Sequence, residues 1–311
     1  MELLTTFEKI KSSSFPTDKE EASSLVLSSS HQSINMATTA SPCVRSDTIP
    51  RCTAEREWHV SDMAVRGNKL AVCVHNYRTN TQSFIDLFTL NDSDSSSPFM
   101  TQLFTKLLDH PRWPPYRCVS FLDDSRIVTV YRDLVQVYHI EADDSEPLHT
   151  VNLLHDTQAK CVTVREEEIF IGLDDSNEVI VFDFSLNKIK TITLKGLEGD
   201  NPEDITVYGD NLFISTGQCR AIRYNMEGNI VHEYKTPGYS EAWSITVSGL
   251  VYILWDYLHV VVYSLSDSQQ LMSFDVDLST RIRIVDVNRL LTVCRLTGKV
   301  REYSMVSTAG L

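Results

Sequence analysis

The sequence between Lys160 and Asp277 repeats one pattern three times. AKCVTVREEEIFIGLDDSNEVIVFDF is followed by PEDITVYGDNLFISTGQCRAIRYNMEGN and then by EAWSITVSGLVYILWDYLHVVVYSL. Each copy reads as an apolar strand, a tight polar turn, a second strand, a polar loop and a third strand. Val164, Val207 and Val247 hold equivalent places, so successive copies are offset by about 40 residues, a period typical of a β-propeller in which one copy is one blade.

Apolar residues alternate within these copies, as half-buried strands require. Examples are Ile205 with Val207, Leu212 with Ile214, and Ile222 with Tyr224. The turns contain Gly209-Asp210-Asn211 and Ser248-Gly249, residue types that tolerate the positive φ angles of hairpins. Because one blade cannot bury its apolar face alone, the copies must stack and share a core.

Less regular copies lie on both sides of the repeat. The first starts at Trp58 (WHVSDMAVRGNKLAVCV, QSFIDLFTL and PFMTQLFTKLL), and the second is YRCVSFLDDSRIVTVY, LVQVYHI and PLHTVNLL. The last, RIRIVDVNRLLTVC and GKVREYSM, lacks an outer strand. The sequence therefore predicts an all-β fold, a six-bladed β-propeller over residues 41–306, closed by an N-terminal strand.

The closing strand can be placed on the sequence. We expect a segment within Ser41 to Glu55, centred on Ser46 to Cys52, to pair outside Lys299 to Ser304. Residues 1–40 are expected to form a largely disordered tail, since eighteen of the first 54 residues are Ser or Thr. Within that tail, Glu2 to Lys11 is expected to form a frayed end, with the last turn of a coiled coil or a short helix that docks a partner as the alternatives.

Composition limits the classes of function. The chain has a formal net charge of −14, which disfavours nonspecific binding of nucleic acid. No run of about 18 apolar residues is present, so we expect no membrane span, and the N-terminus lacks the pattern of a secretory signal. Seven cysteines without CxxC pairs favour reduced thiols and a cytoplasmic location. Cys73, Cys118, Cys161 and Cys294 lie in apolar strands and are expected to pack as small hydrophobes.

The segment LFISTGQCRAIRYNMEGNIVHEY resembles the NHL repeat, and LDDSNEVIVFDFSLNKIKTI is a weaker match. NHL propellers with six blades occur at the C-terminus of tripartite-motif (TRIM) proteins, so the resemblance implies a substrate-recognition propeller over residues 55–305. The cysteine and histidine clusters of RING and B-box domains are missing, which places any ubiquitin-ligase activity elsewhere. WD repeats fit less well, because Trp255-Asp256 is expected in a loop and not at the end of a strand.

One end of a propeller is built from the loops that enter each first strand and those that join the second strand to the third. Tyr, Trp and Arg, the residue types that dominate binding hot spots, concentrate in these loops. The sequence predicts a partner-binding set of Trp58, Tyr77, Arg78, Tyr116, Arg117, Arg132, Trp243, Trp255, Tyr257, Arg281 and Arg295. The alternative for each residue is packing between blades or pairing with a nearby carboxylate.

Catalytic signatures are missing from the sequence. No GxSxG, P-loop, GxGxxG, HxH or HExxH motif occurs, and we expect a noncatalytic protein-interaction module without cofactor or metal. Two alternatives stay open. In a metal-dependent propeller hydrolase or lactonase, oxygen ligands from Asp174, Asn201, Glu203, Asp204 and Glu241 would converge at the axis. In an RNA-binding NHL domain, the arginines would form a continuous positive patch.

The protein-interaction hypothesis makes one direct prediction. Replacement of Trp255 and Tyr257 with Ala weakens partner capture with little change in melting temperature, provided that both side chains are exposed. A large fall in melting temperature would instead identify them as core residues. The sequence leaves the oligomeric state open.

Overall fold

The structure, a computed structural model, describes residues 43–54, 57–76, 78, 82–91, 99–109, 117–141, 146–153, 157–174, 176–218, 220–235, 238–286 and 288–304. All of them belong to one compact unit, Ala37–Val306. The predicted tail and its short helix lie outside the described residues.

Within these ranges the strands form six four-stranded antiparallel sheets, which are the predicted blades. Blade 1 contains β2 (Trp58–Arg66), β3 (Lys69–Asn76), β4 (Gln82–Leu90) and β5 (Met100–Asp109). Blade 2 contains β6 (Arg117–Phe121), β7 (Arg126–Tyr131), β8 (Leu134–His139) and β9 (His149–Asn152). Blade 3 contains β10 (Gln158–Arg165), β11 (Glu168–Asp174), β12 (Glu178–Asp183) and β13 (Lys188–Thr193).

The remaining blades follow the same order. Blade 4 contains β14 (Pro202–Tyr208), β15 (Asn211–Thr216), β16 (Ala221–Asn225) and β17 (Ile230–Tyr234). Blade 5 contains β18 (Ala242–Ser248), β19 (Leu250–Trp255), β20 (His259–Ser264) and β21 (Gln270–Asp275). Blade 6 contains β22 (Arg281–Asp286), β23 (Arg289–Val293) and β24 (Lys299–Ser304), completed by β1 (Cys43–Thr48). The short helix α1 (Pro50–Ala54) links β1 to blade 1.

The ring closes as predicted, with the N-terminal strand outside Lys299–Ser304. Cys43 pairs with Ser304 and Thr48 with Lys299, so the strand lies a few residues before the predicted centre at Ser46 to Cys52. Pro50 explains the shift, because it has no N–H for a ladder hydrogen bond and is well suited to the first turn of a helix. Arg45 adds an ion pair with Glu302, the two side chains 2.6 Å apart.

The equivalence of the repeats is confirmed by the strand register. Val164, Val207 and Val247 each stand one residue before the end of a first strand, and each pairs with the second strand of its own blade. Apolar side chains from adjacent blades share core clusters, as Ile169 of blade 3 does with Val128 of blade 2. The hydrophobic core therefore lies between the blades, which is why a single blade cannot be stable alone.

The first strands of all six blades surround the axis of the ring. They line a cavity of about 190 Å³, to which each contributes at least one residue, among them Ala64, Val119, Val162, Ile205, Ile245 and Arg283. We call the end of the propeller where these strands begin the loop face. The loops between second and third strands reach the same end, because neighbouring strands are antiparallel.

Five cysteines have side chains that the structure describes, namely Cys52, Cys73, Cys118, Cys161 and Cys294, and all five are buried free thiols. The predicted packing of four of them as small hydrophobes is thus confirmed. In the part of the chain that the structure describes, no helix has the length and apolar character needed to cross a membrane.

The closure depends on a glycine. Gly298 has φ of 62°, and a Cβ built there would lie 2.5 Å from the Cβ of Cys52 in α1. The Gly298 carbonyl also accepts a hydrogen bond from the Ile49 N–H at 3.0 Å. The segment from Ile49 to Cys52 can therefore pack against the turn before β24 only because residue 298 has no side chain.

We predict that Gly298→Ala destabilises the protein more than Gly249→Ala. Gly249 has φ of 71° but open space around its Cβ position, so its replacement costs only backbone strain, about 1–2 kcal/mol. Gly298→Ala adds the collision with Cys52, about 1–3 kcal/mol more. Urea unfolding of both variants measures the difference, and equal losses would contradict the account of the closure.

Candidate functional site at the loop face

The first strands of four blades bulge where they enter from the loop face. In β2, β10, β14 and β18 the pairing with the second strand skips one residue, respectively Ser61, Lys160, Glu203 and Trp243. A bulge re-aims the side chain of the skipped residue. Three consecutive blades, 3 to 5, therefore present Lys160, Glu203 and Trp243 near the loop-face end of the axis.

Trp243 is held in one orientation by two contacts. Its ring stacks on Tyr257 with centroids 4.2 Å apart and planes at 27°, and its Nε1–H donates to Glu241 Oε2 at 2.9 Å. Trp243 is half-buried, whereas Tyr257 beneath it is buried. Burial raises the pKa of the Tyr257 phenol, with Glu241 and Glu203 acting in the same direction. The pair forms a fixed aromatic platform, which we name the Trp243 platform.

Carboxylates surround the Trp243 platform. Burial raises the pKa of Glu241, and the nearby charges of Asp256 and Glu203 add to the effect. Asp256 accepts a hydrogen bond from the Glu241 N–H at 2.9 Å. Lys160 lies between Glu203 and Asp174, at 3.3 Å and 3.6 Å from their oxygens. Lys160 and the two arginines that act on Tyr257, Arg281 and Arg295, face four carboxylates, so the carboxylates around the platform outnumber the cations.

We call the opening of the axis at the loop face the mouth. A cluster of buried ions crosses the axis below the mouth. Arg283 of blade 6 bridges Asp62 of blade 1 and Asp204 of blade 4, at 3.2 Å and 2.7 Å. Arg281 lies 3.3 Å from Asp62 and donates to the Thr280 carbonyl at 2.9 Å. Ser244 of blade 5 donates to Asp204 Oδ2. We call Asp62, Asp204, Arg281 and Arg283 the axial ion cluster.

The two axial aspartates respond differently to burial. Burial disfavours the charged form of Asp204, but the opposing charges of Arg283 and Arg281 outweigh it and lower its pKa. Burial raises the pKa of Asp62 despite the same two arginines. The Val119 N–H also donates to Asp62 at 3.0 Å, and the Ile245 N–H donates to Asp204 at 3.3 Å. The carboxylates are therefore engaged by groups of the protein from several blades.

Two histidines lie beside the mouth in blade 1. The rings of His59 and His75 meet edge to face with centroids 5.9 Å apart. Burial lowers the pKa of His75 to about 3, helped by the charges of Arg295 and His59. Burial and Arg295 lower the pKa of His59 to about 4. Both rings are thus neutral in the folded protein near pH 7.

The structure brings part of the predicted partner-binding set together. Trp243, Tyr257 and Arg281 meet at the mouth, and the charge of Arg295 acts on Tyr257 and on both histidines. Arg281 also lies near the Trp243 carbonyl, its Nη1 at 3.4 Å from that oxygen. The two side chains therefore share one edge of the mouth.

Other members of the set lie apart. Arg78 is exposed and pairs with Glu57 at 2.7 Å, and Arg132 is exposed with φ of 47°. Trp58 is buried against Phe84, with the Arg51 guanidinium 5.2 Å from its ring centroid. Tyr77, Tyr116 and the side chain of Arg117 lie outside the described residues.

The expectation that Trp255 lies in a loop is wrong. Trp255 is the last residue of β19, is fully buried and shares a cluster with Ala221 and Ala242, small residues that leave room for the indole. Tyr257 is buried as well. The prediction for the replacement of Trp255 and Tyr257 with Ala required both side chains to be exposed. Because both are buried, we expect this variant to lower the melting temperature.

Sequence reasoning missed Asp62, Lys160 and Arg283. A signal existed for the first, because Asp62, Asp204 and Ser244 each stand four residues before the end of a first strand. Polar residues at one repeated position of an apolar strand indicate a shared polar site. Among the described residues, no group of three or more His, Cys, Asp and Glu side chains is arranged to hold a metal ion.

Comparisons with known proteins support the fold. No family model and no curated protein sequence matches the chain. In contrast, 1433 chains of solved structures match it, so structural likeness does not select one function. One is Raptor from Chaetomium thermophilum, with a TM-score of 0.54 and 10% identity. The alignment covers 80% of this chain and 28% of the Raptor chain, and at this identity it shows the fold alone.

We predict that Asp204→Asn lowers the free energy of unfolding by about 3–5 kcal/mol, because it removes one of the two carboxylates that balance the buried Arg281 and Arg283. The control is Asp275→Asn, since Asp275 is exposed and pairs with His259 at 2.7 Å. This variant should change stability by less than about 1 kcal/mol. Similar losses for the two variants in chemical denaturation would show that the axial ion cluster does not stabilise the ring.

Acid should destabilise the protein partly through His59 and His75. An unfolded histidine titrates near pH 6.5, whereas the folded pKa values are about 4 and about 3, so below pH 6.5 the unfolded chain binds more protons. The free energy of unfolding therefore falls as the pH drops from about 7 to about 4. His75→Gln should reduce this pH dependence in urea titrations, and an unchanged dependence would contradict the assignment.

Proposed function

We propose that the chain is a noncatalytic interaction module that binds a protein or peptide partner through its loop face. A six-bladed propeller is compatible with a protein-interaction scaffold, and the Trp243 platform is the observation that supports this use. A half-buried Trp whose ring is fixed by stacking and by a hydrogen bond loses little conformational entropy on binding, which favours affinity.

The charges around the platform indicate the chemistry of the partner. Glu203 and Asp256 both act on Glu241, and Lys160, Arg281 and Arg295 offset only part of the carboxylate charge. A Lys or Arg side chain over the Trp243 ring would gain a cation–π contact together with ion pairing. We therefore propose a basic segment as the ligand of the mouth.

RNA is the less favoured ligand. The positive patch that it requires includes Arg78 and Arg281, and these pair with Glu57 and Asp62. The carboxylates around the Trp243 platform would repel phosphates as well. The NHL-like, TRIM-type role remains part of the proposal and is supported by the repeat in blades 3 and 4. The cytoplasmic location is likewise proposed, and the five free thiols are consistent with it.

The test compares two faces of the folded protein. Trp243→Leu removes the aromatic ring of the platform while keeping an apolar side chain in place. The matched control is Tyr208→Ser, an exposed aromatic at the opposite end of the first strand β14. Tagged proteins are used to capture partners, which are identified by cross-linking mass spectrometry.

We expect the loop-face variant to lose the captured partner by at least about tenfold, equivalent to about 1.4 kcal/mol, while the control retains it. Circular dichroism melting checks that both variants are folded. A partner lost with Tyr208→Ser but retained with Trp243→Leu would reject the loop face. Binding of single-stranded RNA that weakens with salt would favour the RNA alternative.

A further inference from the structure

The outer strands of four blades share a bulge near their start. Pairing of the third strand with the fourth skips Leu103 in β5, Ile189 in β13, Val231 in β17 and Leu271 in β21. In blade 2, Leu148 directly precedes His149, the partner of Val137, and its N–H donates to the Val137 carbonyl at 2.7 Å. The bulge is therefore a repeated property of the blade.

The skipped residue is always a large apolar one, and it is always exposed. The four skipped side chains and Leu148 are between 46% and 50% exposed, a narrow range for residues in different blades. The four skipped residues lie in the first half of the outer strand and Leu148 directly precedes β9, so all five are near the end of the propeller opposite the loop face. Bulges re-aim side chains outward and increase the local twist of a strand.

An outer strand is an edge, whose unpaired N–H and C=O groups invite another strand to add. Beyond the bulge, regular pairing continues for only four residues in β13 and β21 and for three in β17, whereas it continues for six in β5. In blades 3, 4 and 5 a strand added from outside would thus meet a short edge that ends in a kink. Exposed Lys188 and Lys190 further disfavour an added strand at β13.

We propose that this repeated bulge keeps the outer edges of blades 3, 4 and 5, which we call the rim, from pairing with an additional strand, from a second copy of this chain or from an extended peptide. The rim tolerates an exposed apolar residue in each of these blades because the kink that exposes it also breaks the edge. This inference does not depend on the proposed partner at the loop face.

The test removes a bulge without adding new chemistry. Deletion of Leu271 brings Gln270 and Met272 together and should straighten the edge of β21, whereas Leu271→Ser keeps the bulge and removes the apolar side chain. Deletion of Val231 repeats the test in β17 if the first deletion does not fold. Sedimentation velocity is measured over a wide range of protein concentration, with circular dichroism as the check of folding.

The wild-type protein and Leu271→Ser should keep the mass of one chain, and the deletion should raise the average mass toward twice that value as concentration increases. A folded deletion variant that stays at the mass of one chain overturns the proposal. Association of the wild type that Leu271→Ser abolishes overturns it too, because the exposed side chain would then join copies.

Hydrogen exchange of the intact protein gives a second test that needs no variant. The amides of β13, β17 and β21 that do not pair with the third strand should exchange at the same rate in dilute and concentrated samples. Protection that appears only at high concentration and only in these strands would show that the rim pairs, and would overturn the proposal.

Discussion

The pairing of Cys43–Thr48 with Lys299–Ser304 is the constraint on which the rest of the ring depends. Each blade buries its apolar faces against two neighbours, so a ring without this strand would leave blade 6 incomplete beside blade 1. The cluster that spans this junction includes Ile49, Trp58, Leu291 and Val300, which come from both ends of the described chain. Cooperative folding therefore requires the two ends to meet before the core between blades 6 and 1 is complete.

The interior combines two kinds of packing. Between blades it is apolar, but at the axis Asp62, Asp204, Arg281 and Arg283 are buried together. Burying isolated charges is costly, and it is tolerated here because each aspartate meets an arginine and a backbone N–H. The repeat places polar residues at equivalent positions of different blades, so the ring itself brings them into contact.

Local patterns predicted the architecture well, since strands, turns and the period all follow from neighbouring residues. The alternation of apolar residues also indicates that Trp255 is buried in a strand, although a loop was expected there. Val251, Ile253 and Trp255 alternate to one side of β19, and all three belong to the cluster between blades 4 and 5. The polar Asp256 that follows suggested a loop, although the strand simply ends at Trp255.

Contacts between distant segments could not be predicted in this way. Arg281 looks like a loop cation in the sequence, and only the closed ring places it 3.3 Å from Asp62. The Trp243 platform likewise requires a bulge in β18 and a turn after β19 to face each other. Such pairs depend on the register of whole blades, which periodicity alone does not determine.

Arg283 has one more implication, because blades 1 and 4 stand on opposite sides of a ring of six. Its guanidinium forms ion pairs with both Asp62 and Asp204 and so connects these opposite blades across the axis. A charged side chain therefore stands in the middle of the ring, so a group that reaches toward the axis from the loop face meets buried ions and not an apolar wall.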